Sequence, residues 1–370
     1  MPTSLSANAI CRFATNAFAL ALICLARPHA HAAPIALDMV TVGDPGNAND
    51  ATGYGAVNYE YRIGKYEVTI GQYVTFLNAV AKTDTYGLFK PAMSSDLNMA
   101  GISRSGTSGA YVYTPIGPSG TTPAGASSLD QRPISYVSWF DAARFANWMS
   151  NGQPSGVQGS ATTENGAYAI SGTTTAPARN SINPNTGASP LYFIPTESEW
   201  YKAAYYKGGG TNAGYWAYAT QSNVAPGNII GSGSNRGNIL TGGIMTGTFS
   251  VTQSASFLPV TTQNYLTDVG AFTSSPSAYG TFDQTGNVAE WNDLTATSGT
   301  NRGVLGGTWR QSSSYASSTD RMTLSPSLII SGTFPTGFRL VAVPEPAACI
   351  TALAGIACGG YSMWRRRKRA

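Results

Sequence analysis

The chain has 370 residues, of which Asp, Glu, Lys and Arg make up only 11%, where about 25% is usual for a globular protein. Its formal net charge is +4, but Arg12, Arg27 and five cations of the last six residues lie in the two ends. Without those ends fifteen cations face seventeen acids, near −2, which excludes a nucleic-acid partner bound through clustered Lys and Arg. Ser, Thr, Gly, Asn and Tyr replace the missing charges, a composition common in extracellular domains with long polar loops.

In chain order, residues 1–32 carry a cation at Arg12 ahead of an apolar run over 13–25, and the small-residue pattern Ala30-His31-Ala32. These features predict a secretory signal peptide cleaved after Ala32. The alternative, a buried first helix, is opposed by Pro28 and Pro34 on either side. Residues 33–342 then form the main domain. Its first block, 61–80, predicts a strand turning into a helix, with Thr69 as N-cap, Gln72 completing a capping box, and Tyr73, Phe76, Leu77 and Val80 at helical spacing. The block 132–150 repeats this with Ser138 as cap, Asp141 in the first turn, and Phe145 and Trp148 on one face. A third, 192–210, gives a short strand, a capping box of Thr196 and Glu199, and a glycine run that stops the helix.

The C-terminal third reads as short strands separated by Gly and Ser: YGTFDQTGNVAEWNDL, NRGVLGGTWRQ, DRMTLSP and GFRLVAV. Residues 94–128, 152–190 and 222–263 are expected to be surface insertions, too polar to bury. Val343-Pro344-Glu345-Pro346 leads into 347–364, eighteen residues without a charge, followed by Arg365, Arg366, Arg367, Lys368 and Arg369. This pattern predicts one membrane span with the basic cluster cytoplasmic and the domain outside, since about 17–25 apolar residues cross the hydrocarbon layer.

All four cysteines and both histidines lie in the ends: Cys11, Cys24, His29 and His31 before residue 33, and Cys349 and Cys358 in the predicted span. No disulfide can therefore staple 33–342. A chain of this length can be held by burial alone, at roughly 75% of its unfolded surface for 300 residues.

Six blocks carry a family resemblance: KYEVT at 65–69, RPISYVSW at 132–139, IPTESEWYKAA at 194–204, GNVAEW at 286–291, GGTW at 306–309 and GFRL at 337–340. In this order they resemble the formylglycine-generating (sulfatase-modifying factor) enzyme family. The resemblance implies an α+β fold, compact and loop-rich, related to C-type lectins. The terminal pattern at 343–370 likewise resembles the PEP-CTERM sorting signal of Gram-negative, exopolysaccharide-producing bacteria. It implies an exosortase-type partner cutting near Pro344 to Pro346 and release to the cell surface or matrix, with a permanent anchor as the alternative.

In active members two cysteines after the GG-S/T-aromatic motif hold Cu(I), a soft ion that thiolates suit. Counted from 306–309, those positions fall on Gln311 and Ala316, neither of which supplies a thiolate. The family's sulfoxide synthases use histidine-ligated iron, and this domain has no histidine. The resemblance therefore implies neither copper nor iron here. It also places Ca²⁺ on FDQTGNVAEW, through the carboxylates of Asp283 and Glu290 and the carbonyls of Gly286 and Val288, with Asn238 and Asp268 as remote contributors. The alternative gives Glu290 to a turn and Trp291 to the core.

Glu197 and Glu199 do not read as a glycosidase pair, because they point apart on a helix and Glu199 is engaged in capping. Arg321 and Arg339 read as ion-pair donors to acids such as Asp293. Trp200, Trp216, Trp291 and Trp309 read as core, whereas 215–218 (YWAY) is a candidate aromatic platform. Two functions remain: a non-catalytic binding module for polysaccharide or a surface protein, or an enzyme using an oxygen-ligated metal or an acid–base site.

Overall fold

Three helices start where a hydroxyl side chain can accept from an otherwise unpaired N–H. In this computed structural model α1 (Ile70–Val80) begins at Thr69, whose Oγ1 accepts from Gln72 N at 3.3 Å while Gln72 returns its Oε1 to Thr69 N at 3.0 Å. The same reciprocal pair, Ser138 with Asp141, opens α3 (Trp139–Ser150), and Thr196 with Glu199 opens α4 (Glu197–Tyr205). Each box satisfies two of the four N–H groups that a helix start leaves without partners. Thr196→Ala is expected to remove about 1 kcal/mol of stability, read from the urea midpoint. A single extra turn, α2 (Ala92–Ser95), follows α1. The predicted stop of α4 is corrected: the helix ends at Tyr205, and Tyr206 is already extended (φ −67°, ψ 138°), before the glycines at 208–210.

The described residues are 34–116, 129–231, 233–242, 246–255, 258–329 and 334–343. The chain divides into a first unit, Met1–Pro34, of which only Pro34 is described, and a second, Ile35–Ala370. The predicted signal peptide, the Pro344–Pro346 motif and the span 347–364 lie outside the described residues. No described helix is long and apolar enough to cross a membrane.

Two four-stranded sheets organise the second unit. The first runs β1 (Met39–Val42), β2 (Tyr61–Gly64), β10 (Val341–Ala342), β5 (Tyr192–Phe193), all antiparallel, so the last strand is inserted between early ones. The second runs β8 (Met322–Leu324), β7 (Arg302–Leu305), β6 (Ala289–Asn292), β9 (Thr336–Gly337), with β6 and β9 parallel. A hairpin of β3 (Ile102–Ser105) and β4 (Val112–Pro115) stands apart. The main core joins α1 and α3 through Tyr73, Phe76, Phe145 and Trp148, whose rings lie 5.2–6.2 Å apart. A second cluster gathers Trp200, Tyr201, Tyr205, Ala219 and Leu305.

The expectation that the polar stretches stay on the surface is corrected. Ile102 and Tyr113 from the first, Tyr168 and Ile170 from the second, and Ile239 and Phe249 from the third are all buried. Asparagines make this possible by taking up loop backbone: Asn147 binds Thr163 O, Tyr168 O and Tyr168 N, and Asn183 binds Ser150 O. A loop whose polar backbone is bonded internally can pack under other chain without stranding those groups.

Candidate functional site

The turn entering β6 holds the residues on which the sequence places a metal. Its backbone is unusual at three points: Asp283, Gly286 and Asn287 have φ of 63°, 90° and 64°. Glycine is required at 286, since a Cβ there would sit 2.1 Å from Asn238 O. Asn287 is fully buried and bonded all round: its N–H donates to Asn238 O (2.8 Å), and its Oδ1 accepts from Asn238 Nδ2 (3.0 Å) and Thr267 N (3.1 Å). Asn238 thus lies beside the turn as expected, but as a hydrogen-bond partner. Asp268 turns to Arg132, 3.6 Å from its Nε.

Beyond the turn, Glu290 is fully buried and accepts three donors. Arg339 contributes Nε at 2.6 Å and Nη2 at 2.7 Å, and Trp200 contributes Nε1 at 2.8 Å. The rest of the guanidinium reaches Gly64 O (2.9 Å), Lys65 O (3.3 Å) and Phe282 O (2.8 Å). Arg339 therefore uses all five N–H groups, and the Glu290 charge beside it pushes its pKa up against the effect of burial. Asp283 accepts from Gly270 N at 2.6 Å, and burial raises its carboxyl to about 6. Val288 is buried against Gly337. In this arrangement both oxygens of Glu290 are engaged, Oε1 by Arg339 and Oε2 by Arg339 and Trp200.

Glu67, of the KYEVT block, is a further buried charge. It is buried, both carboxylate oxygens lack a hydrogen-bond partner, and burial with the nearby charges of Asp283 and Glu290 raises its pKa well above the ordinary range. A lone Glu in a strand-like block gives no sequence signal of burial.

The expectation for the arginines is corrected in its partners. Arg321 pairs with Glu197, its Nε 2.5 Å from Oε1, and Arg339 with Glu290, while Asp293 belongs to Arg302 (2.8 Å) and Arg179 (3.4 Å). Tyr168 also donates to Asp293, at 3.0 Å. Glu199 takes Arg179 Nη2 at 2.7 Å, Tyr59 OH at 2.6 Å and Thr196 N at 2.6 Å. Its carboxyl is buried, yet Arg179 and these donors hold its pKa below the ordinary value. Neither glutamate is available as an acid–base pair.

At the two positions counted for thiolates the structure gives a carboxamide and a methyl group. Gln311 O accepts from Leu240 N at 2.9 Å, and its side-chain Oε1 is buried without a partner. Ala316 is fully buried at the end of a 3₁₀ turn (Ser313–Ala316), and its carbonyl accepts from Tyr205 OH at 3.2 Å. Trp309 lies stacked on Tyr265 with ring centres 4.6 Å apart. A cavity of about 580 Å³ opens elsewhere, between Ile35, Leu37, Glu67, Gln72, Asp130 and Val269. Among the described residues no three His, Cys, Asp or Glu side chains are gathered to hold a metal ion.

Trp200, Trp291 and Trp309 are core, as expected, and Trp216 is half-buried under Lys207, whose ammonium sits 4.6 Å from the ring centre. The segment 215–218 is not a free aromatic platform. All four residues are half-buried, Tyr215 donates to Ala48 O at 2.7 Å and packs on Tyr201 and Tyr206, and Ala217 O accepts from Ser318 N at 2.9 Å.

An α+β scaffold of short strands, capped helices and bonded loops, closed around a buried Arg–Glu pair, defines the class of protein. Residues 46–343 match the model of the Sulfatase-modifying factor enzyme 1-like domain, and the chain belongs to that family. Among solved structures it is similar to Treponema denticola variable protein 1, at 18% identity over 84% of this chain and 96% of the other, with a TM-score of 0.42. It is also similar to CarF, at 20% identity over 83% and 98% with a TM-score of 0.45, and to PvdO from Pseudomonas aeruginosa, at 17% identity over 83% and 92% with a TM-score of 0.37. No curated protein matches the chain by sequence.

Proposed function

We propose that this family member is an exported cell-surface or matrix protein whose domain acts as a non-catalytic binding module. Its polar loops contact exopolysaccharide or a surface protein. One observation carries the reading: where the resemblance puts the two copper thiolates, the chain has Gln311 and a fully buried Ala316, with neither Cys nor His anywhere in 33–342. Soft-metal oxygen chemistry lacks its ligands there. The apolar run and small-residue site at 1–32 support export, and Pro344-Glu345-Pro346 with the span 347–364 and its basic tail supports handling by an exosortase-type enzyme after transient inner-membrane anchoring.

The test is an epitope-tagged full chain expressed in a Gram-negative host that makes exopolysaccharide. The processed product is expected in the matrix fraction, and its migration in native gels cast with the purified polysaccharide is expected to be retarded. Free product in the medium with unretarded migration would sink the binding reading. Stoichiometric copper or iron, with conversion of a cysteine peptide to its formylglycine form, would replace it with the enzyme reading.

A further inference from the structure

Handling by an exosortase-type enzyme meets an obstacle in the first sheet, at the point where the chain leaves the fold. Resting on that sorting reading, we infer that the folded domain hides its own cutting site. Cleavage near Pro344 to Pro346 takes place while β10 is out of the sheet, so that release of the chain and closure of the fold compete.

Three observations converge on this. First, β10 is a central strand: Val341 lies opposite Ile63 of β2 on one side and Phe193 of β5 on the other, and Ala342 opposite Arg62 and Tyr192. A central strand keeps no free row of N–H and C=O groups, so an enzyme has no main-chain edge to hold there. Second, the burial before the motif is continuous. Every residue from 335 to 342 is buried, with Phe338, Arg339, Leu340 and Val341 at 0% exposure. Val68 N donates to Phe338 O at 2.9 Å and Gly64 N to Leu340 O at 2.8 Å, which extends the attachment upstream of β10. Third, the tether is short. Val343 still packs against the main core, which leaves Pro344, Glu345 and Pro346 before the predicted span at 347. Three extended residues reach at most about 11 Å, little more than the roughly 5–8 Å of headgroup region on each side of the hydrocarbon. An enzyme at this site therefore has the sheet on one side and the bilayer on the other. Cutting of a segment held in this way follows the population in which the segment is open.

The experiment follows by pulse-chase the loss of mass of the epitope-tagged full chain in a Gram-negative host that makes exopolysaccharide. Wild type is compared with a chain carrying a flexible Gly/Ser linker between Val343 and Pro344, and with Ile63→Ala. The second variant truncates the cross-strand partner of Val341 from a position far from the motif in sequence. Both are expected to be converted several-fold faster than wild type, and the purified linker product is expected to melt together with the wild-type product. Should Ile63→Ala be degraded before it is cut, Ile63→Val, a smaller truncation of the same contact, takes its place with a smaller gain in rate. Equal rates in all chains would overturn the inference. A gain from the linker alone, with the Ile63 variant cut no faster than wild type, would also overturn it, by making the nearness of the bilayer the obstacle and not the pairing of β10. Conversion of no chain, the linker variant included, would withdraw the sorting reading itself and the competition with it.

Discussion

Arg339→Met is expected to remove about 3–5 kcal/mol of stability in calcium-free buffer, the largest loss for any single side chain outside the apolar core, read from denaturant midpoints. The figure is the usual one for breaking a buried ion pair by deleting one partner, because the carboxylate left behind stays desolvated and unpaired. Here the loss also removes a donor from the carbonyls of Gly64, Lys65 and Phe282. It further removes the one guanidinium that opposes the raised pKa values of Glu67 and Asp283. Adding Glu290→Leu to Arg339→Met should restore part of the loss, since two apolar side chains can replace a buried pair at little net cost. Recovery should remain incomplete, because Trp200 Nε1 loses its acceptor in the double variant. Exact additivity of the two single losses would show that the residues do not act as a pair.

The pair ties together parts of the fold that are far apart in sequence: Glu290 on β6 of the second sheet, Trp200 on α4, and Gly64 at the end of β2 in the first sheet. This explains what could be read from residues alone. The three capping boxes are local, a hydroxyl and its partner three residues on, and Thr69, Ser138 and Thr196 were legible for that reason. The short C-terminal strands were legible from their apolar runs. Which acid each arginine meets was not, since Arg339 finds Glu290 49 residues away and Arg321 finds Glu197 124 away. The burial of the polar stretches was hidden likewise. Asn147, Asn183 and Asn238 look like surface residues by composition, and only the folded backbone shows that they replace water as its partners. Of the site, the loss of thiolates at Gln311 and Ala316 was plain, whereas the pairing of Glu290 depends on an arginine from the segment between β9 and β10.

The exported protein is also expected to melt a few degrees higher at pH 5 than at pH 7. One cause is Asp293, fully buried between Arg179, Arg302 and Tyr168. Arg302 Nε comes within 2.8 Å of Asp293 Oδ1 without hydrogen-bond alignment, so burial prevails over the two arginines and raises the carboxyl from 3.8 to about 6. A folded-state pKa above the unfolded one means that between the two values the native protein holds a proton the unfolded chain has lost. Stability from this group is therefore complete below the unfolded value and declines as pH rises through about 6. The move corresponds to on the order of 3 kcal/mol between the two limits. Asp283, raised by burial to about 6, and Glu67, raised well above the ordinary range by burial, act in the same direction. Glu199 opposes them, being held below its ordinary value, but its contribution fades only once the pH falls below the normal glutamate range of about 4.3. The window between about 4.5 and 6 therefore belongs to the raised acids. Asp293→Asn, which cannot ionise and keeps an acceptor for Tyr168 OH, should reduce the slope of the pH profile across that window, Asp283 and Glu67 keeping the remainder. An unchanged slope in Asp293→Asn, or a wild-type melting temperature that rises steadily from pH 5 to pH 7, would show that Arg302 and Arg179 keep Asp293 ionised and that the buried network is a fully charged one.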